Sequence, residues 1–273
     1  LGLDRIFIVT LPPQVSVADA LAMLGRDPAV EYAEPDFVGT GAAMPQPNSA
    51  EPSYATQAQT QAGGAKLPND HFFSSQWGLN NTGQLNGKPG AHINAVAAWG
   101  VTSGTNDILI GILDTGIDLS HSDLTKKIFG GYDFVNSDEL PRDDHGHGTH
   151  IAGIVGAQSN NNIGVAGVCW NCRMMAVKVL DEENRGYYSW WSSGIEYAVD
   201  HGVHAINMSI GGNSFSLSLQ DAVRYAYFAN VPILAAMMNE GNNVLNYPAA
   251  FPEAIAVGMT NRNDVRDVRS SYG

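Results

Sequence analysis

Basic residues are scarce in this sequence, which has 14 lysines and arginines against 27 aspartates and glutamates. The net charge of −13 at pH 7 argues against a nucleic-acid partner, because phosphate backbones bind basic surfaces. An acidic balance of this size is typical of a secreted, soluble enzyme that binds cations. No run of 18 apolar residues occurs, so the sequence predicts no membrane-spanning helix.

Cysteine is nearly absent, since Cys169 and Cys172 are the only two. A structural zinc site would need four ligands, and no second cysteine pair exists to complete one. A disulfide that closes a small loop is preferred over a free pair, and a redox pair is disfavoured because no obvious helix follows. The sequence starts at Leu1 without a charged and apolar leader, which decides nothing about export.

One stretch carries most of the recognisable chemistry. Glycines flank His147, and the small residues after it predict a helix that packs tightly against a neighbour. A histidine at such a loop-to-helix junction is reachable by substrate yet held by the scaffold, which suits a general base. Upstream, residues 108–113 are typical of a buried strand, and Asp114 follows where open α/β sheets place their chemistry. Asp114 and His147 therefore predict two members of a hydrolytic triad.

Four motifs share the order and spacing of one family: Asp114, residues 147–153 (His-Gly-Thr-His-Ile-Ala-Gly), residues 205–212 (Ala-Ile-Asn-Met-Ser-Ile-Gly-Gly) and residues 239–241 (Asn-Glu-Gly). From about residue 68 to residue 273 the chain resembles the subtilisin-like serine proteases (subtilases), especially the thermitase and fervidolysin group. The resemblance implies an α/β, three-layer catalytic domain on a parallel sheet. The family's nucleophile lies in a Gly-Thr-Ser-Met-Ala motif that this sequence lacks. We therefore expect a fragment that stops before the serine and is inactive by itself.

The resemblance assigns catalytic roles to Asp114, His147 and Asn239. His147 would take the proton of the serine and return it to the leaving amine, while Asp114 fixes the tautomer. Asn239 would complete the oxyanion hole with its side-chain amide.

Three other interpretations of these motifs are weaker. The tripeptide Asp-Thr-Gly at 114–116 also occurs in aspartic proteases, but those need a second such motif, which is missing. His145, His147 and His150 could share a metal ion only through a hairpin or a distorted turn. Residues 239–241 could form an ordinary turn.

The resemblance also predicts a peptide-binding groove between two segments, Asn184-Arg185-Gly186 and Ser209-Ile210-Gly211, which would pair with substrate as strands. Asn246 would line the floor of the primary pocket. Met237 and Met238 depart from the family, which has small residues there, usually Ala-Gly. Met238 is expected to narrow the pocket or to displace the oxyanion loop.

Calcium is the expected cofactor, because the candidate ligands are all oxygens. The resemblance implies a site built from Asp70, Asp123, Asn161, Ile163 and Val165, although a run of asparagines is otherwise ordinary turn material.

A second calcium site is left open. It would use Asp133, Asn136 and Asp138, with Arg142 standing where a neutral ligand belongs, so that its guanidinium could replace the ion.

Three parts are predicted along the chain: a partial inhibitory propeptide at 1–38, a flexible linker at 39–67 and the peptidase domain at 68–273. The propeptide resembles part of a ferredoxin-like α+β unit, with strands at 5–10 and 30–33 around a helix at 16–24; a small accessory domain is the alternative. The linker is rich in Ala, Gln, Pro and Ser, and we expect it to contain the maturation site.

Strands in the larger domain are predicted at 108–113, 174–179, 205–208, 232–236 and 254–258. Helices are predicted after His147 and at 189–200 and 217–230, so that both faces of a parallel sheet are covered.

These features predict a secreted, calcium-stabilised serine endopeptidase made as a zymogen. Its partners would be protein or peptide substrates and its own propeptide, an intramolecular inhibitor, with no nucleic acid and no membrane span. The alternative is a non-catalytic homologue that binds peptides or inhibits.

Overall fold

The computed structural model describes residues 3–44 and 67–273. Within them, five α-helices, α1 to α5, lie at Val17–Leu24, Ala95–Trp99, His147–Gly156, Tyr188–Asp200 and Leu217–Phe228. Nine strands, β1 to β9, lie at Val38–Gly41, Leu109–Asp114, Ile128–Asp133, Arg173–Lys178, Arg185–Tyr187, Ala205–Met208, Ile210–Gly211, Ile233–Ala236 and Ile255–Val257. Short 3-10 turns lie at Leu3–Arg5, Phe73–Ser75 and Gln84–Asn86.

Six parallel strands form the central sheet, in the order β3-β4-β2-β6-β8-β9. In its middle, Ile112 of β2 pairs with Ala176 of β4 and with Asn207 of β6. The five predicted strands are all present and end within one residue of their expected bounds. They could be predicted because strands buried on both faces are nearly continuous apolar runs. The edge strand β3 was not predicted, since its sequence contains two adjacent glycines.

Helices cover both faces of this sheet, which confirms the predicted α/β, three-layer class. Helices α4 and α5 bury one face in a cluster that includes Leu113, Val177, Trp191, Ile195, Ile206 and Leu219. Helix α3 covers the other face in a smaller cluster that includes Ile112, Ile117, Leu124, Ala152 and Met174. Asp114 is the last residue of β2, and α3 begins nearby with His147. Functional sites of parallel sheets lie at the carboxyl ends of the strands, which is where these two residues lie.

The N-terminal segment differs from its prediction. Helix α1 is present, with the Ser16 hydroxyl accepting from the Asp19 backbone N–H and Gly25 at its end. The two predicted strands at 5–10 and 30–33 are not formed, and Phe7 is 79% exposed. An alternating apolar pattern makes a strand only where a partner pairs with it, and these two segments have none.

The segment instead contributes β1 to a three-stranded antiparallel sheet in the order β5-β1-β7. This strand covers residue 38 and the first three residues of the predicted linker. Most of that linker, residues 45–66, lies outside the described residues.

A disulfide joins Cys169 to Cys172, as preferred from the sequence. Gly104 packs beside it at a φ of +80°, and a Cβ there would overlap the sulfur of Cys169. Of the helices in the described residues, none has the length and apolarity needed to span a bilayer.

Candidate active site

Asp114 and His147 form a buried hydrogen-bonded pair. Asp114 ends β2 and is fully buried, while His147 opens α3 and is 2% exposed. The Nδ1 atom of His147 lies 2.6 Å from Oδ1 of Asp114. Gly148 allows this close approach, because a Cβ there would overlap the carbonyl oxygen of Gly116.

Asp143 holds the start of α3 in place and was missed by the sequence analysis. Its carboxylate accepts hydrogen bonds from the backbone N–H groups of Gly146 at 2.8 Å and Thr149 at 2.9 Å, and from the Thr115 hydroxyl at 2.8 Å. Burial raises the pKa of Asp143, but the bonds from Thr149 and the other donors outweigh it and lower the pKa overall. An aspartate just before a helix is a capping signal that could have marked it.

The environment of His147 favours its protonated form. Burial alone would lower its pKa, but the hydrogen bond and charge of Asp114 outweigh burial, so the pKa lies above the usual 6.5. The backbone of Ala42 and the charge of Asp143 act in the same direction.

The other two histidines of the motif, His145 and His150, are both exposed. Burial of part of the ring lowers the pKa of His150. In residues 3–44 and 67–273, no group of three or more histidine, cysteine, aspartate or glutamate side chains is arranged to hold a metal ion.

The two predicted groove segments lie on either side of β1. On one side, Gly39 pairs with Gly186 and Thr40 with Arg185, and on the other Thr40 pairs with Gly211. The Gly41 N–H donates to the Asn184 carbonyl at 3.0 Å, which extends the ladder.

The ladder ends at the Asp114–His147 pair. The Ala42 N–H donates to the Ser209 carbonyl at 2.7 Å, while the carbonyl of Ala42 bonds the His147 ring. The side-chain amide of Asn239 donates to the Ala43 carbonyl at 3.0 Å. The structure thus brings Asp114, His147 and Asn239 together around the main chain of residues 42 and 43.

Two carboxylates anchor this strand, and neither was singled out from the sequence. Glu34 accepts from the N–H of Leu217 at 2.8 Å and of Ser218 at 3.0 Å, at the start of α5. Asp36 accepts from the N–H of Ser189 at 3.0 Å, at the start of α4. Because helix N-termini carry free N–H groups and partial positive charge, these contacts tie the N-terminal segment to two helices.

Met238 has a backbone conformation that glycine usually adopts. Its φ is +70° and it is 5% exposed, and its carbonyl accepts from the Ser271 N–H at 3.1 Å. Its Cγ atom lies 2.6 Å from where a Cβ of Gly211 would be, so the thioether covers that glycine. Asn246 is 6% exposed and donates to the Met237 carbonyl at 3.3 Å. Whether Met238 narrows the primary pocket or displaces the oxyanion loop stays a prediction.

Asp70 and Asp123 meet at the loop that carries Asn161, Ile163 and Val165. Both are buried, at 5% and 2% exposure. Asp123 accepts from the Asn161 amide at 2.6 Å and from the Val165 N–H at 3.1 Å, and Asp70 accepts from the Asn161 N–H at 3.2 Å.

This carboxylate pair fits a hard cation. Within the described residues neither Asp70 nor Asp123 has a lysine or arginine partner. The negative charges of the two carboxylates therefore repel each other, and no basic side chain offsets the repulsion. A Cβ on Gly164 would overlap Asp123, so this glycine lets the loop close around the carboxylates. Buried oxygens with excess negative charge are the donor set that calcium takes.

In the second set of candidate ligands, Asp133, Asn136 and Asp138, both aspartates also accept hydrogen bonds from nearby N–H groups. Asp133 already accepts from the N–H groups of Val135 at 2.8 Å and Asn136 at 2.9 Å and from the Asn136 amide at 2.9 Å. Asp138 accepts from the Leu140 N–H at 2.7 Å.

Comparison with known proteins places this site in a family. The sequence model described as the subtilase family matches residues 105–273. Thermitase from Thermoactinomyces vulgaris is 41% identical over 207 residues, which are 76% of this chain and 70% of thermitase. The chain belongs to the subtilase family.

Other subtilases and one solved structure agree with this assignment. A thermophilic serine proteinase from Bacillus sp. (strain AK1) is 34% identical over 94% of this chain and 56% of its own length. A solved structure of proteases from Pseudoalteromonas arctica superposes with a TM-score of 0.68 at 28% identity, covering 76% of this chain and 70% of that chain. The alternative of a non-catalytic homologue is not favoured, because these relatives are named as proteases.

Proposed function

We propose that the protein carrying this chain is a serine endopeptidase that hydrolyses peptide bonds through an acyl-enzyme. One observation carries the proposal. The Asp114–His147 pair lies against the main chain of residues 42–43, which runs as an extended strand between β5 and β7. Pairing with main chain on both sides recognises peptides largely independently of their side chains. Membership of the subtilase family supports the same reaction class.

In the proposed reaction a serine hydroxyl attacks the carbonyl carbon before the cleaved bond, while His147 accepts its proton. The carbon–nitrogen bond then breaks, and His147 gives the proton to the leaving amine. Water repeats both steps on the acyl-enzyme and releases the acid. Asp114 holds the Nδ1 proton of His147 and stabilises the imidazolium. We propose that the serine comes from the family's Gly-Thr-Ser motif, which lies outside residues 1–273.

Asn239 is the proposed oxyanion donor. Its amide donates to the Ala43 carbonyl at 3.0 Å, one residue beyond the Ala42 carbonyl at which the tetrahedral oxygen would form. Removing one such donor costs about 2.7–4 kcal/mol in subtilisin, a relative and the source of that figure.

The N-terminal segment is proposed to be the inhibitory part of a zymogen. The proposed parts are a propeptide at 1–38 and a peptidase at 68–273, with residues 39–42 of the intervening linker filling the groove as an inhibitor. The backbone bonds of β1 and the contacts of Glu34 and Asp36 support this arrangement. The peptide bond between Ala42 and Ala43 lies at His147, and we propose it as the maturation site.

Calcium is the proposed cofactor at the oxygens of Asp70, Asp123, Asn161, Ile163 and Val165. When bound it would offset the repulsion of the two carboxylates and fix the loop that carries the other three. A second calcium site at Asp133, Asn136 and Asp138 is left open.

Secretion is also proposed. A disulfide, here Cys169–Cys172, persists in oxidising compartments outside the cytosol. The acidic charge of −13 supports solubility there. One relative, 40% identical over 76% of this chain and 24% of its own length, is named the cell wall-associated protease of Bacillus subtilis.

The test uses the whole protein in four forms: wild type, His147→Ala, Asp114→Asn and His150→Ala. Wild type should mature to a product whose first residue is Ala43, shown by N-terminal sequencing. Asp114→Asn should lower kcat by about 10⁴-fold, because the tautomer is lost, and His147→Ala should remain unprocessed. His150→Ala is the control, since that exposed histidine lies on the same helix. Near-normal activity of His147→Ala would refute the proposal.

A further inference from the structure

We propose that the groove selects glycine at the fourth residue before the cleaved bond, and that Trp191 imposes this selection. The inference rests on the proposed function, because positions are counted from the bond between Ala42 and Ala43. Gly39 is then the fourth residue before the bond and Gly41 the second.

The space beside Gly39 is filled by an indole ring. A Cβ built on Gly39 would overlap Cη2 of Trp191 and would lie 2.9 Å from its Cζ2 atom. It would also lie 2.8 Å from the carbonyl oxygen of Gly211, which is backbone. Gly39 does not have a left-handed φ, so its backbone alone would accept any residue. The exclusion is therefore steric, and it acts on every side chain.

Trp191 cannot move aside to make room. It belongs to the buried face of α4, is fully buried in the core and stacks on Tyr188 with ring centroids 4.6 Å apart. Gly186 pairs with Gly39 across the ladder, and a Cβ there would overlap the Val179 carbonyl oxygen and would lie 2.7 Å from Nε1 of Trp191. The Trp191 ring thus lies against two facing glycines, Gly39 and Gly186. Because protein interiors are close-packed, an added side chain at Gly39 would have to displace this ring or be excluded.

Selection at the second residue before the bond is weaker. A Cβ on Gly41 would overlap the side-chain oxygen of Asn184. That side chain is only half buried, and within the described residues its oxygen has no hydrogen-bond partner, so it can rotate away. Thr40 is exposed and sets no requirement. The groove therefore favours extended peptides of the form Gly-Xaa-Gly-Ala, with strict glycine only at the first of these positions.

The deciding experiment needs no catalysis. Hydrogen–deuterium exchange on the chain of 273 residues measures how well the amides of residues 38–42 are protected in the groove. Gly39→Ala should lower that protection by roughly tenfold to a hundredfold, whereas Gly41→Ala should lower it less than tenfold. Thr40→Val is the matched control and should leave protection unchanged. Protection of Gly39→Ala within threefold of wild type would overturn the inference.

Trp191→Leu provides the second variant, because it removes the ring and should restore part of the protection to Gly39→Ala, the close approach to the Gly211 carbonyl being unchanged. If Trp191→Leu does not fold, the comparison of Gly39→Ala with Thr40→Val still decides. Cleavage by the whole protein adds an independent arm, in which Gly-Thr-Gly-Ala peptides are compared with Ala-Thr-Gly-Ala peptides. Failure to cleave either peptide counts against the proposed function alone, while equal cleavage of both counts against the role of Trp191.

Discussion

Replacing Glu34 by alanine should loosen the N-terminal segment without unfolding the helix that it touches. Its carboxylate accepts four hydrogen bonds at the start of α5: from the N–H groups of Leu217 and Ser218 at 2.8 and 3.0 Å, and from the hydroxyls of Ser216 and Ser218 at 2.7 and 2.6 Å. Ser216 still caps α5 in the variant, since its hydroxyl accepts from the Leu219 N–H at 3.1 Å. The variant therefore loses free energy of docking of the N-terminal segment onto α5, and the helix itself keeps its stability.

The magnitude follows from the kind of bond that is lost. Hydrogen bonds to charged groups contribute about 1.5–3 kcal/mol each when buried, and a helix N-cap about 0.5–2 kcal/mol. The Glu34 site is partly open to water, so these contributions are screened and overlap. We expect about 2 kcal/mol in total, which corresponds to a roughly 30-fold weaker docking equilibrium.

Amide exchange of residues 38–42 measures that equilibrium directly, because opening of the segment exposes these groups to solvent. Glu31→Ala is the matched control, since Glu31 is an exposed acid on the same segment. Exchange that accelerates less than threefold in Glu34→Ala, or equally in both variants, would refute the reasoning.

Three further predictions concern the pocket, the general base and the cation. Met238→Gly should raise cleavage after phenylalanine relative to alanine, because the thioether then leaves the face of Gly211; an unchanged ratio in a substrate series would contradict this. The pKa of His147 is raised, and only its neutral form can accept a proton, so kcat/KM should fall with acidification around a midpoint above pH 6.5; a midpoint at or below that value would be inconsistent. Calcium at a hundredfold excess over its Kd should stabilise the fold by about 2.7 kcal/mol, measured by thermal melting against a chelator. Asp123→Asn should abolish that calcium response, and the exposed control Asp107→Asn should keep it. A wild-type melting temperature that is the same with calcium and with chelator would argue against the site.

The central sheet was predictable because its signal is local. Residues 108–113 and 205–208 are apolar runs buried on both faces, and the strands observed there match the prediction within one residue. The neighbouring residues 128–133 include two glycines at φ of +72° and +149°, which weaken the pattern of an edge strand. The alternating pattern at 5–10 failed for the opposite reason, since it had a strand-like sequence and no partner.

The candidate site was partly predictable for the same reason. Asp114, His147 and Asn239 each sit in a motif, and the fold brings them to one edge of the sheet. The pairing of residues 38–41 with β5 and β7 could not be predicted. Those residues are Val-Gly-Thr-Gly, in which two glycines weaken the strand propensity of Val and Thr, and their order comes from partners more than 140 residues further along the chain.

Because β1 lies in the groove, the occupancy of the groove by this strand depends on protein concentration only after the chain is cut. While it is joined to the rest of the chain, its docking is intramolecular, and diluting the protein does not weaken it. Cleavage after Ala42 would turn the same strand into a separate ligand, and its occupancy would then follow mass action. From that point the backbone pairing of β1 and the contacts of Glu34 and Asp36 would together set how long the strand stays, and at high dilution the groove would empty.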